Sequence, residues 1–207
     1  MSLPAAEQAA ALNRSFFERP TDAVARDLLG VWLLNATPEG LCGGPIVEVE
    51  AYCGPEDLAS HARAGLTRRT TPMFGAAGHA YVYLVYGMHE CLNVVAYSAP
   101  AAAGAVLIRA IAPAIGVELM RNRRGRDADP DSRLGAGPAR LTRALGVDRG
   151  YDGRDLTLGE GLWLAQPPEP VEFEIASGPR IGVDYAGEDW AARPLRYWIA
   201  GHPSVSK

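Results

Sequence analysis

Apolar and polar positions alternate through Ile46-Val-Glu-Val-Glu-Ala-Tyr52, the period of an extended strand whose successive side chains point to opposite faces. Pro45 to Tyr52 is therefore expected to be a strand, as are Val31 to Leu34, His79 to Tyr86, Leu92 to Tyr97 and Ala105 to Ala110. A glycine-rich stretch from Glu39 to Gly44 is expected to turn the chain between the first two strands. Helical expectations fall elsewhere. Pro4 to Leu12 forms a short helix, and Thr21 caps one that runs through Leu29 and stops at Gly30. Ala114 to Arg123 and Pro138 to Leu145 follow, the latter with a proline suited to its first turn. Gly54, Pro55, Gly65, Pro72, Gly75 and Gly78 break residues 53–78 into a long loop, and residues 124–134 form a charged one. The C-terminal third reads as short strands at Leu162 to Leu164, Arg180 to Val183 and Leu195 to Ile199. Strands cluster and helices sit at the edges. The expected fold class is α+β, with a largely antiparallel sheet and peripheral helices.

No internal repeat or long linker divides the 207 residues, so one domain spans 1–207, with residues 1–13 expected to attach loosely. The hydrophobic fraction of 48% and charged fraction of 21% are those of an ordinary soluble globular chain. No apolar run approaches the roughly 18 residues of a membrane span, and Met1 to Asn13 lacks the basic end and apolar stretch of a signal peptide. A cytoplasmic monomer without membrane contact is expected. Cys42, Cys53 and Cys91 include no CxxC pair, and the four histidines are scattered, so neither a disulfide framework nor a metal site is expected.

The net charge of −4 hides a strong asymmetry. Residues 1–60 carry three basic and nine acidic side chains, residues 61–154 thirteen arginines against seven acids, and residues 155–207 four basic against eight acidic. A basic middle between acidic ends suits one face built for a polyanion, although an arginine-rich solvated surface has the same composition. Arg121 to Arg126 is the densest such stretch, a DNA contact or a solvated loop. Lys207 is the only lysine.

Alternation puts Glu48, Glu50 and Tyr52 on one face of their strand. Two carboxylates roughly 6–7 Å apart along a strand suit a pair of glycosidase acids, and they equally suit the wet side of an edge strand. Tyr81 and Tyr83 share a face, and Tyr86 follows at the strand end before Gly87. This tyrosine density offers either a stacking surface for bases or a tyrosine-rich sheet face.

Taken together, the motifs are more specific. Glu48-Val-Glu-Ala-Tyr-Cys-Gly-Pro-Glu-Asp57, His61, Met73-Phe74, Tyr81-Val-Tyr-Leu-Val-Tyr-Gly-Met88, Asn93 and Leu107-Ile-Arg-Ala110 resemble the alkyladenine (3-methyladenine) DNA glycosylase family. Gly137-Pro-Ala-Arg-Leu141, Tyr151-Asp-Gly-Arg-Asp155, Gly178-Pro-Arg-Ile-Gly-Val183 and Pro194-Leu-Arg-Tyr197 extend the resemblance over residues 14–206. It implies a single compact domain with a curved antiparallel sheet, no cofactor, and double-stranded DNA with damaged purines as partner. The likeness also implies a bacterial, nucleoid-associated protein. Carried over by position, Glu50 matches the general base that activates water, and Arg109 the arginine that helps hold this water. Tyr52, His61 and Tyr83 match the walls of the base pocket, and Asn93 the residue opposing the exocyclic amine of guanine. Tyr86 matches the side chain that fills the gap left by a flipped base, with Met88 beside it. Thr70 stands where the family pattern leads one to expect asparagine, and Glu90 where an aromatic is frequent. The physics is consistent: a base must leave the stack before its sugar bond can be attacked, and aromatic rings attract a cationic purine.

Overall fold

The computed structural model describes residues 9–126, 128–167 and 171–206. Among them eight strands pair antiparallel throughout, in the order β3-β4-β5-β2-β1-β6, with β8 joining β2 and β7 joining β8. The strands are β1 Trp32–Thr37, β2 Gly40–Tyr52, β3 Ala80–Val85, β4 His89–Val95, β5 Ala105–Ile111, β6 Leu162–Ala165, β7 Ile175–Gly178 and β8 Arg196–Ile199. The described α-helices are α1 Thr21–Asp27, α2 Val117–Arg124, α3 Asp131–Leu134, α4 Pro138–Leu145 and α5 Glu188–Ala192. One main hydrophobic cluster and three smaller ones result among the described residues, and the α+β expectation holds.

The core lies on one face of the sheet. Val49, Ala51, Val82, Leu92, Val94, Val106, Ile108 and Tyr197 point there and pack with Val24, Ala25 and Leu28 at α1 and with Leu141, Ala144 and Leu145 of α4. Period-two strands and an amphipathic helix thus meet by burying complementary apolar surfaces. Alternation then forces Tyr81, Tyr83, Asn93, Arg109, Glu48 and Glu50 to the opposite face.

Several boundaries depart from the sequence pattern. No turn spans Glu39 to Gly44: β2 begins at Gly40 and runs through its glycines, with the hairpin turn at residues 38–39. A Cβ on Gly43 would lie 2.2 Å from Leu33 O and one on Gly44 1.9 Å from Ala112 O. These glycines serve close backbone approach inside a sheet rather than a turn. Arg180 to Val183 is a turn, not a strand, because Gly182 takes φ +75° and the Ile181 N–H is aimed at Glu50. Thr21 lies inside α1; its hydroxyl donates to Ala96 O instead of capping. Residues 9–12 are extended where a helix was expected: Ala11 bridges Ala165, Leu12 N donates to Leu164 O, and Trp163 Nε1 donates to Ala9 O. The rest of the expected Pro4 to Leu12 helix lies outside the described residues, as does Lys207. Within the expected 53–78 loop, two 3-10 turns form at His61–Ala64 and Thr71–Phe74.

Candidate active site

The site grows from the polar face. Tyr81, Asn93, Leu107, Glu50 and Arg196 are successive register partners across β3, β4, β5, β2 and β8. Tyr83, Cys91, Arg109 and Glu48 lie two residues along their strands from that row. A register irregularity sets Glu48 opposite Ala110 while Glu50 faces Leu107. Arg109 therefore lies diagonal to both carboxylates, and its guanidinium bridges them.

The two glutamates, both fully buried, have different surroundings. Glu48 accepts from Arg109 Nε at 2.8 Å, Arg196 Nε at 2.7 Å, Ser206 N at 2.7 Å and Ser206 Oγ at 2.9 Å. Burial acts to raise its pKa, but Arg109, the Ser206 hydrogen bonds and Arg196 outweigh it and hold the carboxyl below the usual range. Three of these donors converge on Oε1 and Ser206 N holds Oε2, so Glu48 serves as a structural anion that aims Arg109. A carboxyl held ionised by two arginines is a poor proton donor, which disfavours the sugar-hydrolase pairing of Glu48 with Glu50.

Glu50 is less filled. Its Oε1 pairs with Arg109 Nη1 at 3.1 Å and accepts from Ile181 N at 2.8 Å, while Oε2 accepts from the Tyr52 hydroxyl at 2.9 Å. An ionised carboxylate offers about four lone-pair positions, which leaves room on Oε2 for one further donor such as water. Burial, then the adjacent Glu50 charge, push the Tyr52 phenol well above its usual pKa, so Tyr52 remains a donor to the carboxylate. Arg109 is kept cationic: burial opposes the charge, and Glu50 and Glu48 more than restore it.

A second ion pair braces this floor. Arg180 and Asp57 are fully buried, with Arg180 Nη1 2.5 Å from Asp57 Oδ2 and Nη2 2.9 Å from Oδ1. Arg180 also donates to Ala51 O and lies 4.8 Å over the Tyr52 ring. Asp57 in turn accepts from Cys53 N and Ala59 N. The loop after β2 and the turn carrying Ile181 are thereby tied together behind Glu50.

Above the floor is an aromatic slot lined by Tyr52, Ala59, His61, Met73, Tyr81, Tyr83, Asn93 and Tyr185. Its volume is about 30 Å³, the space of ordered water rather than of a purine. The reason is that His61 meets Tyr83 edge to face with ring centroids 4.6 Å apart. A flat base needs roughly 3.5–4 Å on each side, so these rings must separate to admit one between them. His61 Nδ1 is 3.0 Å from the Tyr81 hydroxyl, and Arg69 Nη2 is 3.3 Å from Nε2. Arginine only donates, so Nε2 accepts and the proton sits on Nδ1. Burial, aided by Arg69, lowers the His61 pKa to about 4. Asn93 is buried, and its Nδ2 donates to Tyr81 O at 3.0 Å, which fixes the amide's orientation.

Tyr86 and Met88 stand apart from the slot, at the tip of the β3–β4 hairpin, 89% and 70% exposed. Tyr86 has φ +52° and Gly87 φ +70°, with Met88 N donating to Val85 O. The left-handed conformation costs a non-glycine residue about 1 kcal/mol, and it holds a bare aromatic ring out in water. Thr70 is buried; its hydroxyl donates to Gly65 O and accepts from Thr67 N, pinning the loop below the slot. Glu90 shares a groove with Met88, Arg124, Arg140 and Arg143. Of the Arg121 to Arg126 stretch, Arg121 pairs with Asp131 and Arg123 with Glu39, so part of this positive charge serves the fold.

Several participants were not singled out from the sequence. Asp57 and Arg180 stand inside the Gly-Pro-Glu-Asp and Gly-Pro-Arg-Ile-Gly-Val motifs, which carried the signal without a role. Arg196 lies in a matched motif as well, whereas nothing local marked Ser206, Ala59, Tyr185 or Arg69.

Fold and site define an α+β protein in which a buried carboxylate–arginine centre adjoins a slot of flat rings. The chain belongs to the methylpurine-DNA glycosylase (MPG) family, whose sequence profile it matches over residues 15–203. It is similar to the human DNA-3-methyladenine glycosylase, at 41% identity over 94% of this chain and 67% of the human one. A Methanocella arvoryzae protein described as a candidate 3-methyladenine DNA glycosylase is 45% identical over 95% of this chain and 96% of its own. A Rubrobacter xylanophilus protein with the same description is 52% identical over 84% and 86%.

Proposed function

We propose that the protein is a monofunctional DNA glycosylase. It turns an alkylated or deaminated purine out of duplex DNA and hydrolyses its N-glycosidic bond, leaving an abasic site. The observation that carries this reading is Glu50, buried, held by three fixed donors, and still able to accept one more. A water bonded to Oε2 would be oriented for attack on the sugar carbon and lose its proton to the carboxylate. Positive charge that develops on the sugar as the base departs is stabilised by the same anion. Arg109 keeps that anion in place.

The substrates are 3-methyladenine, 7-methylguanine, hypoxanthine and ethenoadenine. Alkylation at N3 or N7 makes the purine cationic, and tyrosine faces attract a cation by about 0.5–2 kcal/mol. His61, neutral above its pKa of about 4, adds no repelling charge. Asn93 opposes the exocyclic amine of ordinary guanine. Tyr86, projecting from its hairpin, fills the gap left in the stack, with Met88 beside it. Lyase chemistry needs a nucleophilic amine; the only lysine is Lys207, and arginine stays protonated. With Lys207 and the chain's α-amine the sole candidate amines, Glu50-activated water is proposed as the nucleophile, a choice that borohydride trapping tests.

The reading is tested with Glu50→Gln, which keeps shape and removes basicity. Base release falls by at least about 100-fold, while affinity for a lesion-bearing duplex is retained. Release within about tenfold of wild type would move the general base to another group.

A further inference from the structure

Arg69 brings a guanidinium to the aromatic slot from outside, and among the described residues it is the one that contacts both Tyr83 and His61. The residue is exposed, yet its Cζ lies 5.4 Å from the Tyr83 ring centroid and its Nη2 3.3 Å from His61 Nε2. It lines the outer mouth of the slot with Ser60, His61, Tyr185 and Arg63, whose own guanidinium donates to Leu58 O. No carboxylate pairs with it among the described ion pairs, so its field at the mouth is uncompensated by a direct partner. Thr70, the next residue, is buried and pins the turn from which Arg69 projects. The charge is therefore held at a defined place, beside the ring a bound base would touch.

We propose that Arg69 is a specificity-determining residue that weighs neutral against cationic bases. This rests on the glycosylase reading above and names what that site prefers. When the N-glycosidic bond breaks, its electron pair stays with the base and water supplies the hydroxyl to the sugar. A cationic alkylated purine departs neutral; a neutral purine departs as an anion that then takes a proton from solvent. In both cases the base becomes more negative by one charge, so a fixed cation nearby speeds the bond-breaking step for both. The lesions differ in what happens before that step. A cationic base must enter against the field of Arg69, whereas a neutral base enters without that penalty. Arg69 thus lowers kcat/KM for cationic lesions relative to neutral ones while favouring the chemical step for each.

The test uses the full-length protein on duplexes that carry one 7-methylguanine or one hypoxanthine, at low salt, with Arg69→Gln and Arg69→Lys. Arg69→Gln shifts the kcat/KM ratio about tenfold toward 7-methylguanine, the size expected for unit charges 6–7 Å apart in a partly wet site. The single-turnover rate at saturation falls for both lesions. Arg69→Lys keeps the ratio of the wild type, and raising the salt reduces the difference between wild type and Arg69→Gln. An unchanged ratio with an equal loss on both duplexes would make Arg69 a phosphate contact and overturn the proposal. A shift toward hypoxanthine overturns it as well. If the wild type releases neither base, the glycosylase reading itself fails, and this proposal falls with it.

Discussion

The floor and the mouth of the slot are built on opposite principles. At the floor, Glu48, Glu50, Arg109, Arg180 and Asp57 are each less than a tenth exposed and each is held by at least two polar partners. At the mouth, His61 and Arg69 meet Tyr83 through ring edges and a cation–π contact, with one long hydrogen bond between them. Buried charges tolerate no looseness, because an unpaired one costs several kcal/mol. Aromatic edges slide at little cost. The proposed function, a site that holds a water rigidly and opens for a flat base, calls for both kinds of construction, and this molecule separates them by only a few side chains.

Removing Glu48 attacks the floor. Glu48→Gln leaves Arg109 Nε, Arg196 Nε and the Ser206 N–H facing an amide instead of an anion. Stability is expected to fall by about 3 kcal/mol in urea denaturation, with base release reduced because Arg109 loses its fixed orientation. Unchanged stability would mean that the network is ornamental and that Glu50 alone fixes Arg109.

The hairpin tip gives the opposite sign. Tyr86→Gly relieves the left-handed strain at φ +52°, and stability should rise by about 0.5–1 kcal/mol. Excision from a fully paired duplex falls by roughly tenfold, but much less from a bulged or single-stranded lesion, since only the paired base must be unstacked. An equal loss on both substrates would place Tyr86 in folding or in the slot.

His61 provides the most specific effect, confined to one pH range. Its folded pKa of about 4 is below the ordinary 6.5, so between these values the unfolded chain binds a proton that the folded chain refuses. Stability is therefore lost as pH falls from 6.5 toward 4. His61→Gln should flatten that part of the stability–pH curve and leave the region above pH 7 unchanged. A curve with the same slope would show that His61 is solvated and free to protonate.

Much of the fold was legible because alternation is a local signal. β3, β5 and α4 fall within a residue or so of their expected limits, and α4 matches Pro138 to Leu145. Two of the misreadings share a physical source: glycine has several uses. Gly43 and Gly44 read as a turn, but they are thinned positions where another backbone presses on a strand. Val183 and Ile181 read as strand residues, yet their segment turns at Gly182 to deliver an amide to Glu50. In the site, the shared face of Glu48, Glu50 and Tyr52 followed from the period alone. Which glutamate is free did not, since Ser206 and Arg196 reach Glu48 from 158 and 148 positions away. Likewise Arg180 meets Asp57 across 123 positions. Pairings of that range come from topology, and a single sequence does not print them.

The central claim is hydrolysis of a damaged base from duplex DNA with the strand left whole. The direct measurement incubates the protein with a duplex carrying one 7-methylguanine, collects free base by chromatography, and analyses the strand with and without heating in alkali. Borohydride in a parallel reaction traps any Schiff base. The account predicts free 7-methylguanine, a strand that breaks only after alkali, and no covalent complex. Strand cleavage without alkali, a trapped complex, or release from free nucleosides but not from the duplex would contradict it.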